Sequence, residues 1–285
     1  MRSKFLRLTL SLFLLFVLFV GNVSSDVAIS PQSLFLPTDV PGCVLWLRSD
    51  LGVTKDGSNL VSVWVDQSGD GNDATQVTSD NQPLWKDNHI NGHPAIYFDG
   101  VDNFLLASGI ATKGYFSGND KPFTIFIVST LEKAAWDDDG NWISCYLASD
   151  SFSTGIFDVL DFYNYGMSVR TALTDDMSVT KGSNGGTGLL PGDYNLPYIW
   201  ELVFDGQNVS IFKNATTIIN NADLDVGVVT PDDSFSIGCA YEGLGVAKFA
   251  FWLGDIDEVI VYKSLVSVLN RSLIENYLNG RYAIY

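Results

Sequence analysis

Carboxylates and aromatic rings are the residues here with chemistry to offer. Glycoside hydrolysis needs two carboxyl groups across the scissile bond, about 5–5.5 Å apart for retention or about 6.5–9.5 Å for inversion. The densest candidate is Asp255-Ile256-Asp257-Glu258. On a regular strand Asp255 and Asp257 share a face with Val259 after them, and Glu258 points the other way. That leaves two carboxylates on a face and no third. Calcium needs several oxygen ligands converging from loops, and Asp99, Asp102 and Asp257 are the expected set, with Asp66 as an outsider. In Trp136-Asp137-Asp138-Asp139-Gly140-Asn141-Trp142 the first carboxylates have calcium-loop spacing, but the glycine is out of place and no Glu follows at the twelfth position. It reads first as a solvated acidic tip. Glycan binding needs aromatic platforms beside polar groups, and Trp136, Trp142, Tyr163 and Tyr165 sit in the least patterned part of the chain, where loops carry function. The two histidines, His89 and His93, flank a turn and make no hydrolase triad.

The elements that must position these residues are strands. The 285-residue chain is 46% hydrophobic and 13% aromatic, with 26 glycines, which is core-forming and turn-rich. Met1 to about Ser25 is set aside as a signal peptide: Arg2, Lys4 and Arg7, then a short apolar run from Leu8 to Val20, then small residues at Val23-Ser24-Ser25. That run is short for a membrane span of roughly 20 residues, and no later stretch qualifies. The mature chain, residues 26–285, is therefore expected outside the cell, secreted or at the cell surface. Its formal charge moves from −17 to −20 when the leader and its three cations are removed. Such a chain does not seek nucleic acid or anionic lipid. Three cysteines, Cys43, Cys145 and Cys239, allow at most one bridge and fit no zinc spacing.

Asn91-Gly92-His93-Pro94-Ala95-Ile96-Tyr97-Phe98-Asp99-Gly100 reads as turn, strand and turn, with a new strand at Phe104-Leu105, the pattern of a sheet corner. Pro122 to Thr130 is the clearest core strand. Tyr198, Trp200, Leu202 and Phe204 alternate before the turn Asp205-Gly206-Gln207-Asn208, a hairpin. In Asp66 to Thr75 the Asp and Ser side chains are expected to cap backbone groups of a tight loop. Only the end is helical, with Leu269, Leu273, Ile274, Tyr277 and Leu278 at helical spacing and Ser267 as N-cap. Many strands and one terminal helix predict an all-β, two-sheet antiparallel sandwich.

Four stretches in order carry a resemblance: Leu45-Trp46-Leu47-Arg48-Ser49-Asp50; Trp64 through Thr75; Asn91 through Leu105; and Gly254 through Tyr262 with the helix ending Tyr277-Leu278-Asn279-Gly280-Arg281-Tyr282. Together they resemble the concanavalin A-like, laminin-G-like jelly-roll family. The resemblance implies a jelly-roll sandwich acting as a non-catalytic module, whose partner is an extracellular glycan or a surface protein, with calcium at the rim. Asp255 to Glu258 also resembles, more faintly, the catalytic strand of jelly-roll glucanases, although Asp255 stands where that family uses its nucleophilic Glu. A glycan-cleaving hydrolase or lyase, or a structural coat or appendage subunit, are the alternative functions.

Overall fold

Leu253–Tyr262 is the strand around which the molecule is built. A computed structural model describes residues 35–285 apart from 117, 120, 133–143, 152–154, 164–165, 173–177, 182–193, 224–228, 231–234, 243–246 and 250. Along one side Leu253–Tyr262 pairs with Phe123–Leu131, and along the other it pairs first with His93–Asp99 and then with Cys43–Arg48. Among the described residues these belong to an eight-stranded antiparallel sheet. It continues through Pro197–Phe204, Asn208–Lys213 and Thr216–Asp223 on one flank and Leu84–Ile90 on the other. A second, nine-stranded antiparallel sheet contains Val61–Trp64, Leu105–Leu106, Ser144–Ser151 and Phe235–Ile237. The chain is an all-β sandwich with a short C-terminal helix, as its strand and turn pattern predicts.

Side-chain alternation sorts the core into two layers. Leu45, Leu47, Ile96, Phe98, Ile125, Ile127, Ile256, Val259 and Val261 lie between the sheets with Trp64, Leu105 and Phe235 of the second sheet. Trp46, Phe126, Val128, Ile199, Ile260 and Tyr262 form the opposite, outer face of the first sheet, which the helix Val268–Tyr282 covers with Ile274, Leu278 and Tyr282. Strands buried on both faces read as continuous apolar runs, and all nine residues of Phe123–Leu131 are buried.

The expected corner forms. Asn91 and Gly92 turn with positive φ, His93–Asp99 follows in the first sheet, and Gly100 turns the chain toward Leu105–Leu106 in the second. Asp66 caps its loop as expected, accepting from the backbone amides of Trp46, Ser68 and Asn72. Ser267 caps the helix by accepting from the Asn270 amide. The helix's apolar stripe differs from the one its spacing predicts. Leu269 and Leu273 are 71% and 40% exposed, whereas Ile274, Leu278 and Tyr282 are buried. The helix turns the 274/278/282 line toward the sheet because Phe126, Ile260 and Tyr262 offer the matching apolar surface there. Among the described residues no helix is long and apolar enough to cross a membrane.

Candidate functional site

The outer face of the first sheet carries the molecule's concentration of buried charge. A β-bulge interrupts the pairing of Leu253–Tyr262 with Phe123–Leu131 between Ile256 and Glu258. Two residues of the bulged strand then oppose one of its partner. As a result Asp257 and Glu258 both reach the outer face, while Ile256 and Val259 stay between the sheets. The regular alternation expected from sequence put Glu258 on the opposite face. The bulge corrects that reading and brings Asp255, Asp257 and Glu258 to one side.

Each of these carboxylates has internal partners. His89 lies between the two aspartates, Nε2 at 3.1 Å from Asp255 Oδ2 and Nδ1 at 3.1 Å from Asp257 Oδ1. It gets there because Leu84–Ile90 is itself irregular, with a register shift between Lys86 and Ile90 and positive φ at Asn88. Lys86 adds an ammonium 3.4 Å from Asp255 Oδ1 and stacks over the Tyr97 ring. Glu258 accepts from Trp46 Nε1 at 2.7 Å, and from the hydroxyls of Tyr277 and Tyr282 at 2.9 Å each. Arg281 Nε lies 3.4 Å from Glu258, and its Nη2 pairs with Asp50.

Burial opposes charge on the His89 ring, but the hydrogen bonds of Asp255 and Asp257 outweigh it and raise the imidazole to about 10. Burial pushes Asp257 up to about 7 against the pull of His89. It also raises Glu258, against the donors around it. The two carboxyl groups, one on each ring nitrogen, favour the imidazolium form of His89. With both ring nitrogens engaged, it has no lone pair to offer as a base.

Beside this cluster a cavity of about 370 Å³ opens to solvent at the C-terminal end of the helix. It is lined by His89, Ile90, Asn91, Thr130, Asn195, Pro197, Tyr282 and Ala283. The sheet register sets its floor, since Pro197, Thr130 and Asp255 are successive cross-strand neighbours. Thr130 is 5% exposed, and its hydroxyl has no hydrogen-bond partner among the described residues.

Of the residues expected to bind calcium, Asp99 and Asp102 share one turn and Asp257 does not join them. Asp99 Oδ1 accepts from the amides of Val101 and Asp102, closing the corner turn. Asp257 lies four residues along the strand from Leu253, the cross-strand partner of Asp99, a separation of roughly 13 Å. Asp257 is fully buried against His89. Among the described residues no group of three or more His, Cys, Asp or Glu side chains is arranged to hold a metal ion. Of the expected glycan platforms, Trp136, Trp142 and Tyr165 lie outside the described residues, and Tyr163 ends the strand Gly155–Tyr163. The leader at residues 1–25 also lies outside them. Sequence reasoning missed His89 as the centre of the cluster. Its only signal was a histidine two residues before a turn, in a chain with a carboxylate-rich strand elsewhere.

No protein-family model matches the chain, and no curated protein matches its sequence. Solved structures do. A Trypanosoma rangeli sialidase in complex with sialic acid is 15% identical at a TM-score of 0.50, over 84% of this chain and 33% of that one. The Botulinum neurotoxin serotype D binding domain is 11% identical at 0.54, over 82% and 50%. The binding domain of Botulinum neurotoxin DC in complex with rat synaptotagmin II is 11% identical at 0.55, over 85% and 52%. The chain thus spans a third to about half of the length of these proteins. At such identities the likeness carries the fold alone, a β-sandwich.

Proposed function

We propose that this chain is an exported, non-catalytic recognition module of the concanavalin A-like, laminin-G-like jelly-roll type, binding extracellular carbohydrate or a surface protein. The observation that carries the non-catalytic reading is the state of the carboxylates on Leu253–Tyr262. Asp257 and Glu258 are 0% exposed and Asp255 is 3% exposed, and all three are engaged by His89, Lys86, Trp46, Tyr277, Tyr282 or Arg281. A general acid or nucleophile has to touch the scissile bond, and these cannot reach one. The open cavity next to them, with amide and hydroxyl side chains on its walls, supports binding instead. The solved structures of like fold include one with sialic acid bound and one with a protein bound, so both ligand classes fit this reading.

A rim calcium belongs to the same proposal, now resting on Asp99 and Asp102. Burial, and then the nearby charges of Asp99 and Asp80, raise the Asp102 carboxyl, and a divalent cation would relieve the charge repulsion in that shift. The test is a glycan array probed with the full chain, with and without chelator, followed by product analysis of every glycan bound. Binding without cleavage is expected, and loss on chelation supports the rim ion. Shortened glycans would replace the module reading by the enzyme one, and an array without any bound glycan would leave the protein-partner or structural-subunit reading.

A further inference from the structure

We propose that the cavity at the C-terminal end of the helix is a subsite for a neutral saccharide, held by Thr130, Asn195 and Asn91. This rests on the carbohydrate reading above and says where the sugar sits and which sugars are accepted. At about 370 Å³ the cavity lies near the small end of ligand pockets, which run from about 300 to 1,000 Å³, and suits a monosaccharide-sized group.

Its walls suit a sugar. Pro197, half-buried, supplies apolar surface for the C–H face of a pyranose, and the buried Ile90 and Tyr282 complete the lining. The polar groups are placed by the backbone. Asn195 is held at the mouth by its own amide, which donates to the Leu131 carbonyl at 2.8 Å, and its positive φ makes the turn into Pro197–Phe204. Asn91 donates its Nδ2 to the Arg281 carbonyl at 2.8 Å, which leaves the carboxamide oxygen as an acceptor. Thr130 supplies the second, independent observation. A hydroxyl on a residue this deeply buried, without a partner among the described residues, carries a desolvation cost that a ligand hydroxyl removes.

Charge selects against acidic sugars. Among the described residues the cations near the cavity are matched by carboxylates, His89 by Asp255 and Asp257, Lys86 by Asp255 and Glu132, and Arg281 by Asp50 and Glu258. The helix presents its C-terminus, the end with partial negative charge. The whole chain carries a formal charge of −17. Among the described residues a carboxylated or sulfated glycan finds no unmatched counter-charge there, whereas hydroxyl donors find acceptors.

The experiment compares the full chain with Thr130→Val and Asn195→Trp. Each is titrated with neutral glucose-, galactose- and mannose-containing oligosaccharides and with sialylated and sulfated ones, and its thermal unfolding is recorded. The wild type is expected to bind a neutral glycan and to leave the acidic set unbound. Both variants are expected to weaken that binding tenfold or more. Thr130→Val, which swaps an unpartnered hydroxyl for a methyl group, should unfold at or above the wild-type temperature, so its loss of binding cannot be loss of fold. Asn195→Trp fills the mouth from an exposed position, and because Asn195 has a positive φ its recorded melt separates a blocked mouth from a strained turn. Neutral binding that survives both variants places the sugar elsewhere and overturns the subsite while leaving the recognition function intact. Preference for the acidic set also overturns it. A wild type that binds none of the sugars overturns both the subsite and the carbohydrate reading.

Discussion

Asp257 and Glu258 are consecutive in the chain and project from the same face of one strand, because the bulge between Ile256 and Glu258 inserts a residue there. The two carboxylates then part company. Asp257 turns to His89, and Glu258 turns to Trp46, Tyr277, Tyr282 and Arg281. The first joins the strand to the Leu84–Ile90 edge, and the second joins it to the terminal helix. A buried charge of this kind fixes geometry more than it adds stability, since desolvation consumes much of the Coulombic gain.

Removing one partner should therefore cost far more than the pair contributes. His89→Ala leaves Asp257 buried without its cation and Asp255 with Lys86 alone, and it is expected to destabilise the fold by about 3–5 kcal/mol. Urea unfolding monitored by tryptophan fluorescence measures this. A loss under about 1 kcal/mol would mean that the imidazolium bridge is not formed.

The same bridge sets an alkaline limit. The folded pKa of His89, about 10, lies above its ordinary 6.5. The group binds its proton more tightly when folded, so its stabilisation is complete below about pH 6.5 and is lost as pH rises through about 10. Midpoints of urea unfolding across that window are expected to fall for the wild type and to fall less for His89→Gln.

Glu275 gives a pH dependence at lower pH. It is 5% exposed beside Glu201 and accepts a hydrogen bond from the Tyr285 hydroxyl. Burial, and then Glu201, raise its carboxyl from 4.5 to about 7. A raised carboxyl stabilises below its unfolded pKa, and that contribution disappears as pH climbs from about 4.5 to about 7. Glu275→Gln should be near neutral at pH 4 and should stabilise by about 1–3 kcal/mol at pH 8.

Helix docking is tested by contrasting two faces. Leu278→Ala removes a fully buried side chain from the layer with Phe126 and Ile260 and should cost about 2–5 kcal/mol. Leu269→Ala, on the exposed side, should stay within about 0.5 kcal/mol. Thermal melts of the two variants measure the contrast, and equal shifts would mean that the helix lies on the sheet by a different face.

Gly254 fixes how closely two central strands approach. Its φ is +142°, and a Cβ there would overlap the carbonyl oxygen of Thr130 on the neighbouring strand. Gly254→Ala is expected to destabilise by more than about 1 kcal/mol. Because Thr130 floors the cavity, it should also weaken whatever binds there.

Much of the fold was legible in the residues themselves. Positive φ at Asn91, Gly92 and Gly100 follows from residue type, and the hairpin at Asp205 to Asn208 and the Ser267 cap follow from local hydrogen bonding. These are interactions among near neighbours, and a sequence window contains them. A continuous apolar run likewise marked Phe123–Leu131 as a core strand, and period-two alternation gave one buried face of Pro197–Phe204.

Tertiary structure decided the site. Whether a helix turns Leu273 or Ile274 inward depends on which surface receives it, and the spacing of apolar residues contains both answers. Glu258 changes face through a one-residue bulge that only the partner strand's register reveals. His89 meets Asp255 and Asp257 across more than 160 positions of chain, because an irregular edge strand swings it onto the sheet. The cavity belongs to no segment, since its walls come from the Leu84–Ile90 turn, two central strands and the helix end. Local sequence determined the strands, turns and cap, whose energies are local; long-range pairing determined which charges meet and where a ligand can enter.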